Sequence, residues 1–368
     1  MMAMKVLYVT TIGSTMEFFV DILKQLLDKG GAIDIATNSN IRDVPRCYKE
    51  WGCKIYQMDW QRSPLRISNI HSIKKLKELV LSEKYDVVHC HTPIAAMCAR
   101  VACKTARKRG TKVFYTAHGF HFYKGAPIKN WLLYYPIEWF CAFLTDILIT
   151  INIEDYFRAK KHLHAKRVEY VPGVGIDIDY FQHTSVDREK KRKELLIPIE
   201  AFLLLSVGEL NTNKNHQLVI RALAELNNPD IHYGIAGRGD LAEDLQKLAI
   251  GLGVKEQVHF LEYRDDIAEI YKIADAYVLP SHREGLNVSV MEAIASGLPT
   301  VCSRIRGNVD LLNDADVLFD PTSIDECKQA LEKVIYSNTT DMVERNLKKV
   351  RAFESKTVKE TMIKMYLK

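Results

Sequence analysis

Short, continuous apolar runs alternate with longer stretches of helical spacing, and the whole alternation occurs twice along the chain. In the first half the runs are MKVLYVT, AIDIAT, CKIYQM, YDVVHCH, KVFYTAH and ILITIN. Helical spacing covers 16–29, closed by Gly30–Gly31, and 72–83. The pattern restarts near residue 200 with FLLLSVG, IHYGIAG, QVHFL, AYVLP and PTVCS, separated by helices expected at 215–227, 240–252, 266–273 and 288–296. A run that is apolar on both faces suits a strand buried in a parallel sheet. Parallel strands need right-handed crossovers, so helices cover both faces of each sheet. The expectation is an α/β chain of two doubly wound, Rossmann-like domains facing a central cleft. The first spans 1–185 and the second 186–345. The charged stretch 182–197 holds the junction, and a C-terminal helix at 346–368 packs back on the first domain.

A length of 368 residues fits two domains of about 180 residues each. Eight cysteines show no pairing rhythm, which reads as reduced thiols. The opening MMAMKVLYVTTIG reads as a first strand rather than a secretory signal, and no charge-free apolar run reaches 18 residues. The expected location is cytoplasmic, peripheral on the inner face of the cell membrane. Charge supports the peripheral part. Residues 1–185 hold 26 Lys and Arg against 17 Asp and Glu, whereas 186–368 hold 25 against 29. Two differently solvated surfaces would give this asymmetry; so would a first domain that meets an anionic membrane surface.

Ligands of doubly wound sheets bind beyond the carboxyl ends of the strands. Residues 280–301, PSHREGLNVSVMEAIASGLPTV, begin at such an end. Glu284 lies in the loop, Gly285 and Leu286 lead on, and Asn287 suits the N-cap of the following helix. The first N–H groups of a helix lack internal partners and can hold a phosphate. Gly285 lets backbone approach closely. Glu292 sits further along the helix, so the two carboxylates bracket the phosphate position. One could grip a sugar ring and the other a ribose. Gly297 and Pro299 then end the helix.

The segment EGLNVSVMEAIASGLPTV resembles the signature of the retaining glycosyltransferases of family four, which adopt the GT-B fold. The resemblance implies that Glu284 contacts donor-sugar hydroxyls and acts in catalysis, that Glu292 holds the ribose, and that the N–H groups after Glu284 hold the distal phosphate. In SVGELNTNKNH, Lys214 matches the family lysine on the diphosphate, while Glu209 stands where the family has arginine. Glu209 is expected to orient Lys214 or a neighbouring hydroxyl, and Asn213 or Asn215 to supply hydrogen bonds instead. In IAGRGD, Gly237 resembles the glycine turn that packs tightly or approaches the nucleotide. In FLEYRDD, Tyr263 and Arg264 resemble the loop that receives the base. Gly13 and Ser14 resemble the loop beneath the donor phosphates, although a generic strand-to-helix turn is a rival reading.

His118, in FYTAHGFHFYKG, resembles the family histidine that faces the donor hexose near the reaction centre. His89 and His91 share one face by alternation and read as structural. The aromatic stretch 120–143, with Lys124 and Lys129, suits a lipid–water interface or a buried helix between domains. Its AHGFHFYKG…YYPIEW pattern resembles capsule and exopolysaccharide transferases acting on lipid-linked acceptors. The expected activity is therefore retaining transfer of a hexose or N-acetylhexosamine from a nucleotide-diphosphate sugar, UDP-linked, to a lipid-linked polysaccharide precursor. No metal or other cofactor is expected, and no nucleic-acid partner. A GT-B sugar-nucleotide epimerase and a non-catalytic nucleotide-sugar-binding protein are the alternatives.

Overall fold

A computed structural model describes residues 4–61, 67–312 and 317–367. The chain forms two compact units, Met1–Val174 with Val358–Lys368, and Gly175–Thr357. The first unit holds β1 (Lys5–Ile12), β2 (Ala32–Asn38), β3 (Ile55–Gln57), β4 (Val87–His91), β5 (Lys112–Ala117), β6 (Ile147–Thr150) and β7 (Arg167–Tyr170). All pairs are parallel, in the order β3-β2-β1-β4-β5-β6-β7. The order reverses between β1 and β4, where a doubly wound sheet opens a crevice at its carboxyl edge.

Alternation along β1 explains the two-faced core. Leu7 and Val9 join one apolar cluster, with Ala95, Ala99 and Phe122. Val6 and Tyr8 join the other, with Leu23 and Leu26. α1 (Val20–Asp28) is entered through a 3₁₀ stretch, Gly13–Phe19, instead of one helix from residue 16. Gly13 is the reason. It is buried, and a Cβ there would stand 2.3 Å from the carbonyl oxygen of Arg42. The tight fit against 42–44 fixes the entry before the α-helix can begin. α2 (Pro93–Ala102) follows β4, and α3 (Ile128–Ala142) follows the aromatic segment.

The second unit holds β8 (Phe202–Val207), β9 (Ile231–Ala236), β10 (Val258–Glu262), β11 (Ala276–Leu279), β12 (Thr300–Ser303) and β13 (Leu318–Phe319). Its sheet is parallel in the order β10-β9-β8-β11-β12-β13, with its reversal between β8 and β11. α4 (His216–Leu226) and α5 (Val288–Ala295) follow β8 and β11. The last helix, α6 (Ser355–Leu367), returns to the first unit, where Val358, Met362, Ile363, Met365 and Tyr366 enter the Tyr8 cluster. The eight cysteines are free thiols.

Candidate active site

In the second unit the loops after β8 and β11 flank the switch point and are tied to each other. Asn213 Nδ2 donates to the Arg283 carbonyl at 2.9 Å, and the His282 N–H donates to the Asn213 carbonyl at 2.8 Å. Asn215 Nδ2 donates to the carbonyls of Pro280 at 3.1 Å and Pro321 at 2.9 Å. These bonds set Lys214 opposite Glu284, with Nζ 2.8 Å from Oε1 and both side chains largely covered, 17% and 14% exposed. The Lys214 N–H is itself held by Asn211 Oδ1 at 3.0 Å. Asn213 and Asn215 thus spend their amide donors on loop carbonyls. Glu209 accepts from Asn211 Nδ2 at 2.8 Å instead of orienting Lys214. A neighbouring amide two residues away outcompetes an ammonium already held by Glu284.

The loop from Glu284 to Asn287 runs into the start of α5. Asn287 is the N-cap, its Oδ1 accepting from the Val290 N–H at 3.3 Å and from Ser289 Oγ at 2.6 Å. Leu286 is buried and anchors the loop. Arg306 Nε donates to the Glu284 carbonyl at 3.1 Å, and the backbone of Gly285 packs against Gly307. One turn into α5, Glu292 accepts from the Tyr271 hydroxyl at 3.0 Å. Burial raises the Glu292 carboxyl above the usual glutamate value, and the Tyr271 bond pulls the other way. Gly237 is a packing glycine: a Cβ there would lie 1.8 Å from the Gly208 carbonyl oxygen, so no larger residue lets the β8 and β9 loops meet.

Tyr263 is 66% exposed. Arg264 is held by Asp266 at 2.6 Å and Glu194 at 3.2 Å, and those carboxylates raise its pKa. Arg306 and Tyr271 carry no signal in the sequence pattern, because their partners lie 22 and 21 residues away.

At the first unit's switch point the groups are neutral. Thr92, just past β4, has φ 64°, a strained conformation for a β-branched residue, and its Oγ1 lies 2.6 Å from Thr11 Oγ1. His118 follows β5, is exposed, and has Nε2 3.1 Å from His91 Nδ1. Desolvation by the groups packed around its ring lowers its pKa below the usual histidine value, and the exposure of the side chain weakens that shift. His121 stacks on Tyr134 at 4.4 Å. Ser14 sits in the 3₁₀ stretch, part-exposed, and the buried Gly13 is accounted for by packing. A cavity of about 270 Å³ lies between Thr11, Thr15, Thr92 and Ile94, with His121 and Tyr134 on its wall. The aromatic segment is split. Phe120 and Phe122 are core, while Ile128, Leu132, Trp139, Phe140 and Phe143 are exposed on or just past α3.

Comparison with known proteins gives a consistent picture. The family pattern described as "Glycosyl transferases group 1" matches residues 187–350, and that described as "Glycosyl transferase 4-like" matches 5–152. The putative glycosyltransferase EpsD of Bacillus subtilis (strain 168) is 36% identical over 320 residues, which cover 86% of this chain and 82% of EpsD. UDP-Gal:alpha-D-GlcNAc-diphosphoundecaprenol alpha-1,3-galactosyltransferase of Escherichia coli is 31% identical over 290 residues, 76% of this chain and 74% of that one. In fold, the chain is similar to HepE of Anabaena, crystallised with UDP and glucose, with a TM-score of 0.79 over 98% of this chain and 99% of that one at 17% identity.

Proposed function

The chain belongs to the group 1, or family four, glycosyltransferases, and on that premise we propose that it moves a hexose or N-acetylhexosamine from a UDP-sugar to a lipid-linked polysaccharide precursor with retention of configuration. The observation that carries the reading is the Lys214–Glu284 pair at the start of α5. Leaving diphosphate carries away the electron pair of the C1–O bond. An ammonium and a helix N-terminus stabilise that charge where it develops. Glu284 accepts hydrogen bonds from sugar hydroxyls, and Glu292, fixed by Tyr271, accepts from the ribose. The acceptor oxygen attacks the face the diphosphate leaves, and its proton passes to a departing phosphate oxygen. This scheme requires no metal. His118 hydrogen-bonds a hydroxyl of the transferred sugar.

The lipid-linked acceptor is supported by the galactosyltransferase relative, whose name specifies a diphosphoundecaprenol substrate. Chemistry in the first unit agrees: the cavity at Thr11 and Thr92 adjoins α3, whose exposed Leu132, Trp139 and Phe140 suit a bilayer interface. Nearby Lys124, Lys129 and the basic first half suit anionic lipid headgroups. Among the described residues no helix is long and apolar enough to cross a membrane. The test is incubation with UDP-sugars and a diphosphoundecaprenol-linked sugar, with NMR of the product's anomeric carbon. A lipid-linked product of retained configuration supports the reading. An inverted product, or sugar-nucleotide epimerised without acceptor, overturns it.

A further inference from the structure

His91 ends β4, and its ring is 1% exposed. It is packed between the rings of Tyr8, at 5.2 Å, and Phe19, at 4.3 Å. Nδ1 lies 3.1 Å from His118 Nε2. The other nitrogen, Nε2, is buried, and among the described residues no hydrogen-bond partner reaches it. His89 stands beside it, ring centroids 4.2 Å apart, but cannot help. Its Nδ1 meets the hydroxyl of Tyr366 from α6, and its Nε2 meets Thr116 Oγ1 at 2.8 Å. Burial holds both His89 and His91 neutral, with pKa values well under the usual histidine range.

Two neutral rings share one proton across the His91–His118 contact, and the unpartnered nitrogen decides its owner. If His118 donated, the remaining His91 proton would sit on Nε2, a buried N–H facing aromatic rings with no acceptor. If His91 donates, Nε2 keeps only a lone pair. Orphaned buried N–H groups are the rarer and costlier defect. We propose that His91 is a positioning residue: it donates Nδ1–H to His118 Nε2, locks His118 in the Nδ1–H tautomer, and so makes it a hydrogen-bond donor on its solvent side. That tautomer is the one neutral histidine disfavours in water, so the partner has to impose it. The catalytic consequence rests on the reading of His118 as the residue that meets the transferred sugar. His118 then donates to a sugar oxygen, and His91 itself touches no substrate.

Selective ¹⁵N-histidine labelling tests the tautomer in the full-length wild-type protein, with the His118 signals assigned by their loss in His118→Asn. The expected spectrum has a proton on Nδ1 and a bare Nε2. A proton on Nε2 of wild-type His118 overturns the proposal, with no need for any His91 variant to fold. His91→Phe is expected to lose the imposed tautomer and to lower kcat about tenfold or more, with KM for the UDP-sugar moving less than about threefold. His91→Asn, whose amide N–H can replace Nδ1–H, is expected to restore both tautomer and most of kcat. An unchanged kcat in His91→Phe, or failure of His91→Asn to restore it, overturns the positioning role. If the wild-type protein shows the Nδ1–H form yet transfers no sugar, the reaction assignment falls while the tautomer assignment stands.

Discussion

At the switch point of the second sheet the chemistry is ionic: Lys214 and Glu284 form a pair at 2.8 Å, and Arg306 fastens the loop beside it. At the switch point of the first sheet it is neutral. Thr11, Thr92, His91 and His118 meet there without a carboxylate or ammonium in the hydrogen bonds that join them. The same sheet topology therefore presents two different surfaces. A departing diphosphate needs fixed charge, which a loop can offer only if its own ions are already ordered. A sugar hydroxyl needs direction rather than charge, and a neutral ring held by a buried neutral neighbour supplies direction without the desolvation cost of ions.

The most forceful way to break this contrast is Glu284→Ala. Transfer should fall by about a thousandfold or more in kcat/KM while far-ultraviolet circular dichroism stays unchanged. A near wild-type rate would mean that the ionic pair is only structural. Gly237→Ala probes how the ionic loops are placed. The new methyl meets the Gly208 carbonyl, and the loss should be about 1–3 kcal/mol of stability, read as a lower midpoint in urea. No change in midpoint would show that the loop yields freely.

Glu292→Gln sharpens the comparison by sign. Burial raises the Glu292 pKa, so the folded state holds its proton to higher pH than the unfolded chain does. Wild-type stability is therefore lost as pH rises from the unfolded glutamate value through the folded one. The glutamine variant lacks this loss. Its Tm should equal that of wild type near pH 4 and exceed it modestly at pH 8; equal values at both would contradict a desolvated carboxylate. The smallest effect expected is none at all. With the His118 pKa lowered, the pH profile of kcat/KM should lack a histidine limb at about 6.5. A limb there that disappears in His118→Asn would show that the first unit uses charge after all.

The ionic half was the more legible in the sequence. Glu284, Asn287 and Glu292 lie on one loop and the helix it enters, so their relation follows from local geometry. Both sheets could be read for a similar reason, because doubly apolar runs leave few places for a strand except the middle of a parallel sheet. Glu209 shows where spacing alone misleads: its side chain turns to Asn211, two residues on, rather than to Lys214 five residues on, a choice set by loop shape. The ion pairs of Arg264 are likewise invisible in the pattern: Asp266 is two residues on, but Glu194 is 70 residues away. The His91–His118 contact depends on the register of β4 against β5, His91 facing Thr116, which no periodicity within either strand encodes. The role of Tyr366 is equally non-local, since α6 reaches Tyr8 and His89 across almost the whole chain.

Calorimetric titration of UDP into the wild-type protein and Lys214→Ala, with uridine as the phosphate-free control, tests most directly whether the second unit's loops hold the diphosphate. UDP should bind the variant about tenfold more weakly or worse, with uridine affinity unaltered. Equal affinity of both proteins for UDP would contradict the account.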